Sequence, residues 1–189
     1  MKIRITPGAI LLLSVMALSR NTLFFATLLC VAVHECGHLL AAHLLRVRIR
    51  VLELDIGGAQ LVTAGLFPSY RAEWLVAAAG PAASFLLALV LFPVAGEFAT
   101  VSARTSISLA LFNLLPIRGF DGGRMLFAAG APLVGESAAT HASSVATYLA
   151  LLLLFSLASC LLLRHGESLT LVVLCASLFA KLFLFAKGA

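Results

Sequence analysis

Residues 23–45 read LFFATLLCVAVHECGHLLAAHLL, and this stretch decides the fold. It contains one acidic residue and no lysine or arginine. About 20 predominantly apolar residues are enough for an α-helix to cross a bilayer. Within the stretch, His34, Glu35 and His38 form the pattern H-E-x-x-H. We therefore predict a membrane-spanning helix that carries three ionisable side chains within about one turn.

The rest of the chain has the same apolar character. Of its 189 residues, 62% are hydrophobic and 11% are charged, and the mean hydropathy is +1.10. Soluble domains are about 45–50% apolar and about 25% charged. A chain this apolar cannot bury its surface in one water-bounded core, which excludes a soluble enzyme, a disordered chain and a nucleic-acid binder. We expect an all-α, multi-pass integral protein of the lipid bilayer.

Hydropathy predicts about six transmembrane helices in one membrane-embedded domain over residues 1–189. The predicted spans cover residues 5–19, 23–45, 73–95, 101–115, 148–163 and 169–185. The first of them can also be read as a cleavable signal peptide, since Lys2 and Arg4 precede a short apolar core.

The basic residues predict the orientation of the chain. With the N-terminus inside, only Arg20, Arg104 and Arg164 of the 13 lysines and arginines fall outside the cytoplasm. His38 lies eight residues before Arg46, about 12 Å along the helix. We expect a bacterial cytoplasmic membrane, with the N-terminus and the predicted site toward the cytoplasm.

The two histidines have the spacing of a metal site. Four residues advance an α-helix by about 400°, so His34 and His38 lie on one face, where two imidazoles can share a zinc ion. Glu35 can accept a proton from a water molecule on the metal and return it to a leaving amine. Ionisable groups are costly in a bilayer span, which favours a metal site over a chance pattern.

A catalytic zinc site has three protein ligands, and the sequence offers two candidates for the third. Asp121 is favoured, because it lies in residues 112–123, where Pro116 ends a helix and three glycines permit turns. Irregular backbone at membrane depth is tolerated where it is buried or lines a cavity. The same segment also fits a juxtamembrane turn in which Asp121 caps a helix. Glu53, on an extended segment, is the alternative ligand.

A small membrane-associated β-hairpin is predicted after the second span. Residues 51–56 alternate apolar and polar side chains, Gly57 and Gly58 can make a turn, and residues 59–63 can return as a second strand. The hairpin can be an ordinary surface feature, or its edge can pair with an unwound substrate through the backbone. In the second case Gly57 and Gly58 shape a substrate site.

Taken together, these motifs resemble the site-2 protease family of intramembrane zinc metalloproteases, of the M50 type. The resemblance covers about residues 20–130 and rests on three motifs: His34-Glu35-x-x-His38, Gly80-Pro81, and Asn113-x-x-Pro116 followed by Asp121-Gly122-Gly123. The layout is most similar to the branch that contains the stage IV sporulation protease, which processes a pro-sigma factor.

This sequence departs from the family pattern in places. Ser84 stands where relatives commonly have asparagine, and Arg118-Gly119-Phe120 replaces a segment that is often rich in proline. Neither a PDZ insertion nor a CBS domain is evident, so regulation and substrate recruitment are left open.

The resemblance implies an intramembrane zinc endopeptidase with one Zn²⁺ per chain and a catalytic core at about residues 20–130. His34, His38 and Asp121 are then the zinc ligands, and Glu35 is the general base toward a zinc-bound water nucleophile. Asn113 is a polar residue near the site that contacts the substrate or the reaction oxyanion. The implied substrate is a membrane-protein segment, such as that of an anti-sigma or pro-sigma factor, and the oligomeric state is left open.

Two other functions stay open on the residues alone. A membrane zinc transporter also carries histidine and glutamate on its helices, although its polar residues would follow a path through several spans. A membrane zinc peptidase with Glu53 as third ligand would act on soluble tails.

Overall fold

The computed structural model describes residues 2–5, 14, 21–55, 58–63 and 67–165. Within them the chain forms five helices: α1 Thr22–Leu44, α2 Tyr70–Leu91, α3 Glu97–Asn113, α4 Asp121–Val134 and α5 Glu136–His165. It also forms three strands: β1 Lys2–Ile5, β2 Ile49–Asp55 and β3 Gly58–Thr63. The predicted helical class is confirmed for these residues, and the strands form one small sheet.

Three helices of the described chain are long and apolar enough to cross a membrane. They are α1, α2 and residues Glu136–Arg164 of α5, and they contain most of the predicted spans 23–45, 73–95 and 148–163. The predicted span 101–115 lies largely in α3, which has 17 residues and is not among the three. Spans 5–19 and 169–185 fall almost entirely outside the described residues, so a total of six stays a prediction.

Helix α5 begins twelve residues before the predicted span. Its first half is polar, but hydroxyl groups there donate to carbonyl oxygens of the same helix. Ser144 Oγ donates to the Thr140 carbonyl at 2.8 Å, and Thr147 Oγ1 donates to the Ser143 carbonyl at 2.7 Å. Hydropathy registers these side chains as polar, although each is compatible with a helix that continues into an apolar segment.

Helices α1 and α2 pack closely, and this contact positions the predicted metal ligands. The buried residues of α1 recur at every fourth position: Ala26, Cys30, His34, His38 and Ala42. A Cβ atom at Gly37 would lie 2.5 Å from the Ala79 carbonyl oxygen and 2.7 Å from Ala83 Cβ. Only glycine fits there, and the small residues let the two helix backbones approach.

The sheet has the order β1-β2-β3, with β2 in the centre. Strands β2 and β3 are antiparallel, with Leu52 opposite Leu61, and they occupy the segment in which the sequence predicted a hairpin. Strand β1 pairs in parallel with β2 and sets Ile3 opposite Leu52. Hydropathy places Ile5 at the start of the first span, whereas it ends β1. No local pattern predicts the pairing of β1 with a strand more than 40 residues away.

Candidate metal centre

Three buried side chains from two helices converge on one point. His34 and His38 come from α1, and Asp121 is the first residue of α4. His34 Nε2 lies 3.1 Å from Asp121 Oδ2, His38 Nε2 lies 3.2 Å from the same oxygen, and the two Nε2 atoms are 3.2 Å apart. The three residues are 3%, 4% and 6% exposed. Among the described residues they form a group that could hold a metal ion, and we call His34, His38 and Asp121 the metal group.

The spacing of these atoms fits a tetrahedral ion. Ligand atoms at about 2.0–2.2 Å from tetrahedral zinc lie about 3.3–3.6 Å from one another. The observed separations of 3.1–3.2 Å are shorter by a few tenths of an ångström. Two imidazole nitrogens and one carboxylate oxygen would hold a zinc ion with three protein ligands, the number that a catalytic zinc site has.

The outer nitrogen of each histidine supports the same assignment. His38 Nδ1 lies 2.7 Å from the Val76 carbonyl oxygen, which can only accept, so Nδ1 carries the proton and donates it. The Nε2 atom of His38 then presents a lone pair to the Asp121 carboxylate, which is also an acceptor. Two buried acceptors that face each other are unfavourable unless a cation lies between them. Histidine ligands of metals are typically held by a hydrogen bond from their other ring nitrogen, as His38 is here.

Gly80 in α2 forms the wall of the site. A Cβ atom at this position would overlap the imidazole of His38 and would lie 2.8 Å from His34 Nε2. The space beside the two nitrogens is therefore open only because residue 80 has no side chain. Gly80, the first residue of the Gly80-Pro81 motif, therefore borders the two candidate ligand nitrogens directly.

We expect Gly80→Ala to abolish zinc binding. The added methyl group occupies the space of the ligand atoms, so the histidines must rotate away from Asp121. Gly130→Ala is the matched control, because its Cβ would meet only Ala139 Cβ at 3.5 Å, an ordinary contact. Metal content of the purified proteins measures the effect. Stoichiometric zinc in Gly80→Ala would contradict the assignment.

Asp121 reaches the site because the segment before α4 is fixed to α5. The Arg118 amide donates to Thr147 Oγ1 at 3.0 Å, and the Arg118 guanidinium donates to the Thr140 carbonyl at 3.3 Å. Gly119 has a φ of +97°, in the region that favours glycine. Phe120, not Asp121, is the N-cap of α4, and no side chain caps this helix. The alternative in which Asp121 serves as the cap is therefore wrong.

Close backbone contacts also hold the start of α4. A Cβ atom at Gly122 would overlap the Leu114 carbonyl, and one at Gly123 would overlap the Ile117 carbonyl. The two glycines after Asp121 thus let α4 begin directly against the segment that follows α3. The Asp121-Gly122-Gly123 motif combines one ligand with two sites of close approach.

Glu35 lies beside the metal group but does not belong to it. Its carboxylate is half-buried and interacts electrostatically with His38, His34, Asp121 and Arg124. A carboxylate next to a metal ligand, held outside the ligand set, is placed to exchange protons with a molecule on the metal.

The sequence did not predict that Arg124 lies near the candidate site. It lies one turn after Asp121 in α4, and its guanidinium carbon stands 5.4 Å from the centroid of the Phe67 ring. It interacts electrostatically with both Glu35 and Glu73. A basic residue three positions after a predicted ligand was the only available signal, since its acidic neighbours come from other helices.

The remaining predicted site residues are not part of the metal group. Asn113 ends α3, and its Nδ2 donates to the Leu109 carbonyl at 3.0 Å. Gly58 begins β3 opposite Asp55, and Gly57 lies outside the described residues. Glu53 lies in β2, opposite Gln60. The roles suggested for these residues stay predictions.

Comparisons with known proteins agree on one family. Residues 95–157 match the family model of Peptidase family M50. A zinc metalloprotease of Methanocaldococcus jannaschii is 30% identical in an alignment 162 residues long, which covers 76% of this chain and 47% of that protein. The chain thus spans about half the length of this curated relative. A solved structure, the site-2 protease from Methanocaldococcus jannaschii, is similar with a TM-score of 0.65 and 26% identity, and the match covers 94% of this chain and 87% of that one.

Proposed function

The chain belongs to Peptidase family M50, the site-2 protease family of zinc metalloproteases, and we propose that it is an intramembrane zinc endopeptidase. One observation carries the proposal. Three buried ligand atoms from two helices that are distant in sequence meet at the spacing of a tetrahedral metal site, with Glu35 beside them. A purely structural zinc site is closed by four protein ligands, whereas this group supplies three.

In the proposed reaction, water adds to the carbonyl carbon of a peptide bond and the C–N bond breaks. Zinc, when bound by His34, His38 and Asp121, supplies a Lewis acid that activates water at neutral pH and polarises the carbonyl. Glu35 accepts the proton that water loses and delivers it to the leaving amine nitrogen. Asn113 is proposed to donate a hydrogen bond to the substrate or to its developing oxyanion.

The surroundings of the site support hydrolysis at membrane depth. Large apolar side chains cover the outer faces of the helices, among them Leu40, Leu86, Leu89, Leu149 and Leu153, all more than half exposed. Such a surface suits lipid. The polar side chains of the candidate site are buried; they come from α1, α2 and α4 and comprise His34, His38, Ser84 and Asp121.

The sheet supports a cytoplasmic orientation of the site. Lys2 and Arg4 in β1 pair beside β2, and Arg48 and Arg50 lie at the start of β2. Basic residues from two distant parts of the sequence thus lie together at one small sheet, and a cluster of basic residues is what the positive-inside rule expects at a cytoplasmic face. Two of the three candidate ligands, His34 and His38, lie in α1, the helix that leads into β2.

We propose that an unwound substrate segment adds to β3. Among the described strands, the order β1-β2-β3 leaves β2 without a free edge and leaves β1 and β3 with one each. A helical substrate bonds its amides internally, so it must open before cleavage, and an edge strand can take up the opened backbone with little dependence on sequence. Gly58 is proposed to shape the start of this edge together with Gly57. An anti-sigma or pro-sigma factor is the substrate class that the family resemblance suggests.

Prolines at Gln60 and Leu61 test this edge. Successive N–H groups of an edge strand point in opposite directions, so the two prolines remove donors on opposite sides of β3. We expect one variant to keep its thermal stability and zinc content but to cleave about fivefold to tenfold more slowly, because it loses a hydrogen bond to the substrate. The other should lose thermal stability, because it loses a bond to β2. Wild-type cleavage by both would exclude strand addition at β3.

The general proposal is tested by co-expression with single-span substrates. Product size separates cleavage within a membrane segment from trimming of a soluble tail, and metal analysis of the purified protein reports zinc. Absence of zinc from unchelated protein would remove the basis of the proposed function.

A further inference from the structure

The two histidines of the metal group are held in different ways. His38 Nδ1 donates to a backbone carbonyl, that of Val76, at 2.7 Å. His34 Nδ1 has a side chain as its partner, the hydroxyl of Ser84, at 2.9 Å. No substitution can remove the first partner, whereas a single substitution removes the second.

The hydroxyl of Ser84 has no freedom to turn to solvent. Ser84 lies one turn after Gly80 in α2 and is completely buried. The close contact at Gly37 fixes the distance between α1 and α2, so Ser84 Oγ faces the ring of His34 across the same contact. The hydrogen bond is a consequence of how the two helices pack.

This contact can serve the metal-binding form of the imidazole, because a hydroxyl accepts a hydrogen bond as well as donating one. A histidine that gives Nε2 to a metal carries its proton on Nδ1 and needs an acceptor there. Ser84 Oγ is that acceptor for His34. Without it, the buried N–H of His34 would lose its partner, and the alternative tautomer, with the proton on Nε2, would compete with metal binding.

We infer that Ser84 is a positioning residue of the metal site: its hydroxyl orients the ring of His34 and accepts a hydrogen bond from Nδ1 when Nε2 binds the metal. This inference rests on the proposed function. It gives a role to the position at which the sequence departs from the family pattern, where serine stands in place of the usual asparagine.

The test measures metal affinity, not cleavage. Ser84→Ala removes the acceptor without adding volume, and we expect its zinc dissociation constant to rise about 10–100-fold in competition with a chelator. The visible absorption bands of the Co²⁺-substituted protein should shift as well, because the orientation of one ligand ring changes. Ser84→Cys keeps almost the same volume with a weaker acceptor and should fall between Ser84→Ala and the wild type.

Ser106→Ala is the matched control. Ser106 is also a completely buried serine of the helical bundle, on α3, and its hydroxyl makes no hydrogen bond to the metal group. The same loss of one buried oxygen should leave zinc affinity and the Co²⁺ spectrum unchanged. A wild-type dissociation constant for Ser84→Ala, or an equal loss in Ser106→Ala, would overturn the inference. If Ser84→Ala fails to fold, a wild-type value for Ser84→Cys overturns it.

The wild-type protein separates this inference from the proposed function. If the wild type binds no zinc, the function itself fails. If the wild type binds zinc and Ser84→Ala binds it equally well, only the role of Ser84 fails.

Discussion

Glu35→Gln should abolish proteolysis while zinc stays bound. Glutamine keeps the size of the side chain but cannot accept a proton, and general acid–base catalysis contributes about 10²–10⁴-fold to such reactions. The candidate ligand atoms come from His34, His38 and Asp121, so the proposed ligand set does not include Glu35. Cleavage of a single-span substrate and metal content are measured on the same preparation.

Glu73→Gln is the control for this change. Glu73 and Glu35 are both half-buried carboxylates that interact with Arg124, but only Glu35 also interacts with the two histidines. We expect Glu73→Gln to cleave at nearly the wild-type rate. Substantial cleavage by Glu35→Gln would contradict its role as general base, and loss of zinc in this variant would make it a ligand.

Sequence alone predicted the two site residues that lie close together in the chain, His34 and His38. The spacing of His34 and His38 implies a common helix face, because four residues make about one turn wherever an α-helix forms. The apolar run around them and the cost of ionisable groups in lipid then favour a metal. Nothing beyond local periodicity is needed for these two ligands.

The rest of the site depends on how the helices pack. Asp121 is 87 residues from His34, and the sequence left Glu53 as an alternative because spacing cannot tell which segment returns to α1. The contributions of Gly80 and Ser84 are invisible to periodicity, since each becomes meaningful only when α2 lies against α1. The residues around Asp121 favoured it over Glu53, and the family resemblance also implied it as a ligand before the contacts were known.

The ends of the helices and the pairing of the strands also divide into features with a local sequence signal and features that depend on tertiary contacts. The capped start of α2 and the turn at Pro116 have local signals, whereas the pairing of β1 with β2 has none. The early start of α5 was missed because hydropathy records a hydroxyl as polar even when it is satisfied within the helix, as that of Thr147 is. Local rules fix where a helix can begin, and tertiary contacts fix which strands meet.

The second large effect is expected when the proposed third ligand is changed. Asp121→Asn should lose zinc and therefore also lose cleavage activity. The amide has the shape of the carboxylate but no charge, and two neutral imidazoles alone are a poor site for a divalent cation. We expect the zinc dissociation constant to rise more than the about 10–100-fold typical of changes outside the ligand set.

Two controls separate ligation from other effects of this change. Asp121 lies in the first turn of α4, where a negative charge also stabilises the helix by about 0.3–1 kcal/mol. Glu97→Gln removes a charge from the first turn of α3 and therefore matches that effect without touching the metal. Glu53→Gln tests the alternative ligand in β2. Zinc should be lost only in Asp121→Asn. If Glu53→Gln loses zinc and Asp121→Asn retains it, the third ligand is Glu53 and not Asp121. The two histidines would then form a site with Glu53, which would favour the alternative zinc peptidase.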